Sequence, residues 1–187
     1  MASEAYRESG VDLARMSGMK ERIKGFAAST HGPEVLDSSG SFAGLYQLSG
    51  YRQPVLVSST DGVGTKLKIA AQLGHFESVG QDLVTLNVND ILTRGAKPLF
   101  FLDYVAFSNL NIQRLDNLMG GIAWGCRETG CALIGGETAQ MPGLYRPKDL
   151  DLAGFVVGVA ERNAVIDSGS VEEGDILVGF PSSGLHT

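Results

Sequence analysis

The sequence predicts an α+β fold in which helices cover one face of a mixed β-sheet. Apolar runs rich in β-branched and aromatic residues alternate with longer segments of helical periodicity. Glycine and small polar residues separate these segments where turns are expected. The chain has 187 residues, of which 43% are hydrophobic, so it can bury a core of its own. Helices layered on a sheet bury the apolar faces of both.

The first elements come from the N-terminal part of the chain. Residues 11–28 suit a helix with a basic side, and residues 30–42 (THGPEVLDSSGSF) indicate a mobile loop because they are rich in Gly, Ser and Pro. Residues 54–60 (PVLVSST) predict a strand. A glycine-bearing turn follows this strand, and a short helix is expected over residues 67–73.

Helices and strands continue to alternate in the rest of the chain. Residues 79–95 predict a helix that places Val84, Val88 and Ile91 on one face and stops at Gly95. The remaining predicted elements are a helix over 112–128 and strands over 98–108, 131–136, 150–161 and 175–180.

Charge and composition exclude several classes of function. A net charge of −6 disfavours a general nucleic-acid binder, which needs a basic surface. The longest uncharged apolar run, 152–160, is too short to cross a membrane, and the N-terminus lacks the pattern of a signal peptide. We therefore expect a cytoplasmic protein. Cys126 and Cys131 do not have zinc-ligand spacing and are expected to be reduced structural residues.

The segment TDGVGTKLKIA (60–70) is the first candidate for chemistry. A strand that feeds a Gly-x-Gly turn can present backbone N–H groups to an anion, and Lys66 adds a positive charge. Asp61 would repel that anion unless it holds a metal ion such as Mg²⁺. The segment therefore suits a metal-bound polyphosphate. A tight hairpin with an exposed Asp and Lys is the alternative.

Polar residues on the 79–95 helix form the second candidate. Asp82 and Asn89 lie seven residues apart on one stripe, and Asp90 is a quarter-turn away. Oxygen ligands on a rigid helix suit a hard cation. A solvated polar face explains the same pattern.

Three further features are weaker. In IGGETAQMPG (134–143), two glycines precede Glu137 at the end of a strand, which suggests close approach of a ligand. Lys20 and Lys24 lie beside the glycine-serine loop and either clamp phosphates or are solvated. Asp103 lies inside an apolar strand, so its carboxylate is paired, bound to metal or at a sheet edge.

Taken together, these blocks resemble one known family. TDGVGTKLKIA, GQDLVTLNVNDILTRGAKPLFFLDY, GCALIGGETAQMPG and SSGLHT closely resemble aminoimidazole ribonucleotide synthetases, also called phosphoribosylformylglycinamidine cyclo-ligases. The resemblance covers almost the whole chain. It implies two α+β domains, of which the N-terminal ones pair so that their sheets build a barrel across a homodimer.

The resemblance also implies an activity and its ligands. The family uses ATP and Mg²⁺ to close the imidazole ring of formylglycinamidine ribonucleotide through an iminophosphate, in purine biosynthesis. Metal ligands are implied at Asp61, Asp82, Asn89, Asp90 and Glu137. ATP or phosphate contacts are implied at Lys24, Gly62, Gly64, Thr65, Lys66, Gly136 and His186.

The same resemblance predicts the domain organisation. Residues 1–50 would form the N-terminal helix and mobile loop, 51–168 the ATP-binding and dimerisation domain, and 169–187 the start of a truncated C-terminal domain. Two alternatives remain open. One is another ATP-dependent phosphoryl transferase of the same superfamily, and the other is a dimerisation fragment without catalysis.

Overall fold

A four-stranded mixed sheet organises the computed structural model, which describes residues 13–36, 43–109, 112–147, 149–182 and 184–187. The helices of the described residues are α1 (Leu13–Ala28), α2 (Lys66–Leu73), α3 (Phe76–Leu92) and α4 (Ile112–Thr129). The strands are β1 (Pro54–Gly62), β2 (Lys97–Phe107), β3 (Ala132–Gln140) and β4 (Leu150–Glu161). Two short 3₁₀ turns follow at Arg162–Ala164 and Ser168–Ser170.

The strand order in the sheet is β1-β4-β2-β3. β4 runs antiparallel to both β1 and β2, whereas β2 and β3 are parallel. A parallel pair needs a crossover connection, and α4 supplies it. The last strand in the sequence therefore lies between the first two, and β1 and β3 form the two edges.

Helices cover one face of this sheet, as the sequence predicts. Successive side chains of a strand point to opposite faces, and the positions of β2 that join the helix-covered core are Phe101, Val105 and Phe107. The helices contribute a matching set of buried apolar residues. This set includes Leu83, Val84, Val88 and Ile91 of α3 and Leu115, Leu118, Met119 and Ile122 of α4.

Glycine lets α3 and α4 cross at very short range. A Cβ atom on Gly121 would lie 2.0 Å from the backbone oxygen of Glu77, and one on Gly80 would lie 2.3 Å from the backbone oxygen of Leu118. Backbone atoms cannot move aside as a flexible side chain can. The crossing of these two helices therefore requires glycine at both positions.

Helix α1 packs against α4 and completes the layer. Met19 is buried, and Nε of Arg22 donates a hydrogen bond to Oδ1 of Asp116 at 2.7 Å. After the helix, Oγ1 of Thr30 accepts a hydrogen bond from the N–H of Leu133 at 2.9 Å. These contacts hold α1 beside the edge strand β3.

The predicted elements 54–60, 67–73, 79–95, 98–108, 112–128, 131–136 and 150–161 all appear, with no end shifted by more than four residues. The predicted helix over 11–28 is found from Leu13, and residues 11–12 lie outside the described residues. Part of the predicted loop, residues 37–42, also lies outside them.

The strand predicted over 175–180 was wrong. These residues form no strand, and Ile176, Leu177 and Phe180 are 89%, 98% and 92% exposed. An isolated β-run needs a neighbouring strand to bond with and an apolar surface to cover it. Neither is present around this segment among the described residues.

Two further findings concern the predicted properties of the chain. Cys126 and Cys131 are free and buried, and a hydrogen bond between their thiols raises the pKa of Cys126. None of the helices in the described ranges is long and apolar enough to cross a bilayer.

Candidate functional site

The first group of predicted site residues lies at the β1 edge, beside α3. Oγ of Ser59 donates a hydrogen bond to Oδ2 of Asp90 at 2.6 Å. Asp61 lies two residues further along β1, so its side chain leaves the same face of the sheet as that of Ser59. Both carboxylates are exposed, and Oδ1 of Asp61 accepts a hydrogen bond from the N–H of Gly62.

Asn87 fixes the backbone that carries Asp61. Its side chain is fully buried, and Nδ2 donates to the backbone oxygens of Asp61 at 3.3 Å and Leu83 at 2.9 Å. Gly154 makes room for it, because a Cβ there would lie 2.8 Å from Nδ2 of Asn87. The end of β1 is thereby joined to the middle of α3.

A second group lies around Lys66, the first residue of α2. Its Nζ lies 2.6 Å from Oδ2 of Asp82 and donates to the backbone oxygen of Leu185 at 2.8 Å. This lysine therefore links α2, α3 and the segment that precedes His186. Asp82 is the ion-pair partner of a predicted phosphate ligand, and Asn89 lies exposed on the same helix.

The glycine-bearing turn leads from a strand into a helix. β1 ends at Gly62, Gly64 has a φ of +64°, Thr65 is the N-cap residue and α2 begins at Lys66. The alternative of a tight hairpin is therefore wrong, because no strand follows the turn. Backbone N–H groups at the start of a helix favour an anion, so the turn has the form that phosphate binding needs.

A third group lines a cavity at the other edge of the sheet, which we call the α1 cavity. Its volume is about 340 Å³. α1 contributes Lys20 and Lys24 to the lining, together with apolar side chains, and β2 contributes Asp103. The remaining lining residues are Met16, Met19, Ile23, Ala27, Ala28, His31, Ala43, Gly44, Leu133, Ile134, Gly135, Gly136, Glu137 and Thr138.

Asp103 is buried where it borders this cavity. Asp103 is only 6% exposed, and its Oδ2 has no hydrogen-bond partner among the described residues. A Cβ on Gly136 would lie 2.2 Å from Oδ1, so the glycine leaves room for the carboxyl group. Burial raises the pKa of Asp103 to about 7, and the charge of Glu137 adds to this rise.

Strand order separates the predicted metal ligands. Asp61, Gly154, Asp103 and Gly136 face one another in a row across β1, β4, β2 and β3. Adjacent strands lie about 4.8 Å apart, so Asp61 is roughly 14 Å from the strand that carries Glu137. No group of three His, Cys, Asp or Glu residues that could hold a metal occurs within the described part of the chain.

The residues at the β1 edge nevertheless suit a magnesium site in which the protein supplies only part of the ligands. Mg²⁺ is ordinarily held by one or two carboxylates together with phosphates and water, and seldom by protein ligands alone. Asp61 and Asp90 offer two carboxylates on the same side of the sheet. These two residues could serve as the carboxylates of such a site.

Comparison with known sequences identifies the family. A family profile described as AIR synthase related protein, N-terminal domain, matches residues 40–160. The chain belongs to this family.

Individual members of the family are similar over the whole chain. A phosphoribosylformylglycinamidine cyclo-ligase of Carboxydothermus hydrogenoformans is 53% identical over 189 aligned residues, which cover 100% of this chain and 55% of the relative. A phosphoribosylformylglycinamidine cyclo-ligase of Myxococcus xanthus is 55% identical, and the alignment covers 97% of this chain and 53% of the relative. The chain therefore spans about half the length of the curated relatives it matches.

Solved structures share the fold of the AIR synthase related domain at low sequence identity. HypE of E. coli covers 84% of this chain and 47% of its own, at 13% identity and a TM-score of 0.59. A structure of the hydrogenase maturation protein HypE in complex with ATP gives 17% identity, 79% and 42% coverage and a TM-score of 0.58. Thiamine-monophosphate kinase of Stenotrophomonas maltophilia is 21% identical, with a TM-score of 0.54. The match covers 78% of this chain and 42% of the kinase. These similarities concern the fold.

Sequence patterns missed two residues of this AIR synthase related domain. Asn87 is close in sequence to Asn89 and Asp90, so from the sequence it looks like one more residue of the polar face of α3. Ser59 belongs to a run of small polar residues at the end of a strand. Only the packing of α3 on β1 shows that both side chains bond to the neighbours of the predicted site.

Proposed function

We propose that this chain is the N-terminal, nucleotide-binding part of a phosphoribosylformylglycinamidine cyclo-ligase. The observation that carries the proposal is the identity of 53% over the whole chain with the relative from Carboxydothermus hydrogenoformans, which bears that name. The reaction is the ATP-dependent cyclisation of formylglycinamidine ribonucleotide to aminoimidazole ribonucleotide. The solved structures named above, one of which is a thiamine-monophosphate kinase, are similar at 21% identity or less.

The proposed chemistry needs a better leaving group than a formamide oxygen. Transfer of the γ-phosphoryl group of ATP to that oxygen gives an iminophosphate and ADP. The amidine nitrogen of the same molecule then attacks the carbon, the C–N bond of the ring forms and inorganic phosphate leaves. Because the nucleophile is intramolecular, the protein contributes mainly by positioning the reactants and neutralising charge.

The residues of the turn after β1 have the parts that this scheme requires. The backbone of Gly62, Gly64 and Thr65 leads into α2, where N–H groups point toward an anion. Lys66 supplies a cation beside them, at present paired with Asp82. We assign phosphate binding to this turn. The backbone oxygen of Leu185 accepts a hydrogen bond from Lys66, so in this proposal the next residue, His186, lies near the same phosphates.

Asp61 and Asp90 would hold Mg²⁺ in this proposal. When bound there, Mg²⁺ would neutralise the charge that develops on the phosphates. Asp82 balances Lys66, and Asn89 lies on the same helix. Glu137 lies at the opposite edge of the sheet, so it could join that ion only from a second copy of the chain.

We also propose that a second copy of the chain packs on the sheet face that the helices leave uncovered, which we call the open sheet face. Leu56 of β1 and Phe155 of β4 are 63% and 37% exposed on the side away from the helices. Apolar side chains gathered on one sheet face favour a buried contact. We propose a homodimer whose two sheets pair into a barrel. Residues 51–168 would be the ATP-binding and dimerisation domain, and 169–187 would begin the next one.

The exposed segment 175–180 supports that division. Its apolar residues Ile176, Leu177 and Phe180 are exposed, and the segment bonds to no neighbouring strand among the described residues. The cytoplasmic location stays a prediction from the sequence.

A fusion protein tests the proposed activity. This chain is joined to the part of the Carboxydothermus hydrogenoformans relative that lies beyond the matched region. We expect ADP, phosphate and aminoimidazole ribonucleotide to form in equal amounts, and only when formylglycinamidine ribonucleotide is present. Phosphorylation of thiamine monophosphate instead, or ATP hydrolysis that ignores the amidine substrate, would contradict the proposal.

Two variants of the fusion serve as a matched pair. Asp61→Asn removes a proposed metal carboxylate, and turnover should fall at least a hundredfold because charge neutralisation dominates phosphoryl transfer. Glu128→Gln changes an exposed carboxylate of α4 and should leave turnover within twofold. Equal turnover in the two variants would remove Asp61 from the site.

A further inference from the structure

The α1 cavity contains a buried carboxyl group that the proposed phosphate and metal chemistry does not use. Asp103 lies on the central strand β2, and its cross-strand neighbours on both sides, Gly154 and Gly136, are glycines. A Cβ on Gly136 would collide with Oδ1 of Asp103 at 2.2 Å and with its backbone oxygen at 2.5 Å. The sheet is therefore shaped around this side chain.

One oxygen of the carboxyl group is left without a partner among the described residues. Oδ2 has no hydrogen-bond partner, although the residue is only 6% exposed. A polar atom that loses water without gaining a partner destabilises the fold. When a bound ligand supplies the missing hydrogen-bond partner, the group no longer destabilises the fold.

The two ends of the cavity differ in charge. Lys20 and Lys24 are exposed lining residues from α1, and Met16, Met19 and Ile23 form apolar wall between them and the interior. Lys24 is held by Glu21, whose Oε1 lies 2.9 Å from Nζ. His31 is oriented by the backbone oxygen of Leu133, which lies 2.8 Å from Nε2. The lining therefore offers cations at the rim and a hydrogen-bond acceptor at the floor.

We propose that Asp103 is the specificity-determining residue of the α1 cavity and binds an N–H donor group of a phosphorylated small molecule. The planar apolar part of the ligand lies against the methionines, and the phosphate of the ribonucleotide lies at Lys20 and Lys24. This inference rests on the proposed function, because two ligands of that reaction have the required chemistry. One is the amino group of adenine in ATP, and the other is the amidine of the ribonucleotide substrate.

Two pairs of ligands separate these sources. ATP is compared with inosine triphosphate, which has an oxygen in place of the amino group. Formylglycinamidine ribonucleotide is compared with formylglycinamide ribonucleotide, which has an oxygen in place of the amidine nitrogen. Each is titrated calorimetrically into the 187-residue chain. The chain should prefer the donor-bearing member of one pair by between about tenfold and a hundredfold, as a hydrogen bond to a charged group provides.

Asp103→Asn is the decisive variant, because it keeps the shape of the side chain and removes the charge. The preference should fall below threefold. Asp103→Ser, which is smaller and neutral, gives the same answer if the amide disturbs the fold. Asp149→Asn changes an exposed aspartate outside the cavity lining and should keep the preference of the unaltered chain.

A rim variant tests the other end of the ligand. Changing Lys20 and Lys24 together to Met should weaken both ribonucleotides, whose phosphate lies there, while leaving the preference within each pair unchanged. The pair that shows the preference identifies the ligand. The inference is overturned if neither pair is distinguished, if the neutral variants keep the preference, or if the rim variant abolishes it. The preference needs no turnover, so it can fail while the fusion protein still makes product.

Discussion

The hydroxyl of Ser59 and the carboxylate of Asp90 are joined by a hydrogen bond of 2.6 Å, which ties the edge strand β1 to the C-terminal part of α3. Such a partner orients a carboxylate that is itself exposed. Asp61 leaves the same face of β1 two residues further on. The two carboxylates of the proposed Mg²⁺ site are thus held by one strand–helix contact.

Nucleotide binding should depend on this contact only when magnesium is present. Ser59→Ala should weaken Mg-ATP binding about tenfold, because loss of an orienting partner typically costs that much in metal affinity. Asp90→Asn should weaken it at least as much. Calorimetric titration with Mg²⁺ and with a chelator checks this. The assignment would be contradicted if the affinity for ATP fell equally with Mg²⁺ and with the chelator, or if it fell in neither titration. Glu128→Gln is the control and should leave the affinity unchanged.

The buried amide of Asn87 should stabilise the fold far more than its exposed neighbour. Asn87→Ala removes the donor to the backbone oxygens of Asp61 and Leu83 and leaves a cavity, so the free energy of unfolding should fall by about 2–3 kcal/mol. Asn89→Ala, on the same helix, should change it by less than about 0.5 kcal/mol. Urea unfolding of the two variants measures the difference. Similar losses at both positions would rule out the inferred role of the amide.

Adjacent glycines of α4 should respond in opposite directions to alanine. Gly121→Ala places a Cβ 2.0 Å from the backbone oxygen of Glu77 and should destabilise the protein by about 3 kcal/mol. A Cβ on Gly120 would lie 3.7 Å from Cε1 of Phe26, which is an ordinary contact. Gly120→Ala should therefore stabilise the helix by roughly 0.5–1 kcal/mol. Thermal or urea unfolding that ranks the two variants the other way would show that α3 and α4 do not cross this closely.

Asp103 should make the protein less stable as the pH rises from about 4 to 7. Burial raises its pKa to about 7, whereas an unfolded aspartate titrates near 4. In that window the folded state holds a proton that the unfolded state has lost, so the free energy of unfolding falls with rising pH. Asp103→Asn should remove this dependence and stabilise the protein at pH 8 by at most about 4 kcal/mol.

Urea unfolding at pH 5 and pH 8 measures the effect of Asp103. Titratable groups that do not interact with Asp103 contribute equally to both proteins and cancel in the comparison. The groups around Asp103 are Glu137, Cys126, Lys20, Lys24 and His31. The same difference between the two pH values in both proteins would contradict the assignment of a raised pKa to Asp103.

The open sheet face should decide the oligomeric state. Leu56→Lys puts a charge at a position that is 63% exposed, so the monomer should lose less than about 0.5 kcal/mol of stability while the proposed dimer dissociates. Leu73→Lys, at a position of α2 that is 67% exposed, should leave the dimer intact. Sedimentation equilibrium distinguishes the two. A monomeric unaltered chain, or a dimer that both variants keep, would refute the proposed contact.

Local sequence determined most of the secondary structure. The periodicity of residues 79–95 and 112–128 and the apolar runs at 98–108 and 150–161 predict elements that the structure contains. This works because hydrophobic spacing and glycine stops act within one element. It fails at 175–180, where an apolar run becomes a strand only with a partner.

Tertiary structure decided which of the predicted site residues meet. β4 is last in sequence but lies between β1 and β2, so Asp61 and Glu137 occupy opposite edges of the sheet. Spacing along the chain contains no information about strand order, because that order depends on which faces pack together. The same packing decided that Asp103 is buried without a partner and that Asn87 bonds to the backbone of Asp61. The residue types of the site were therefore readable from the sequence, whereas their neighbours depended on the fold.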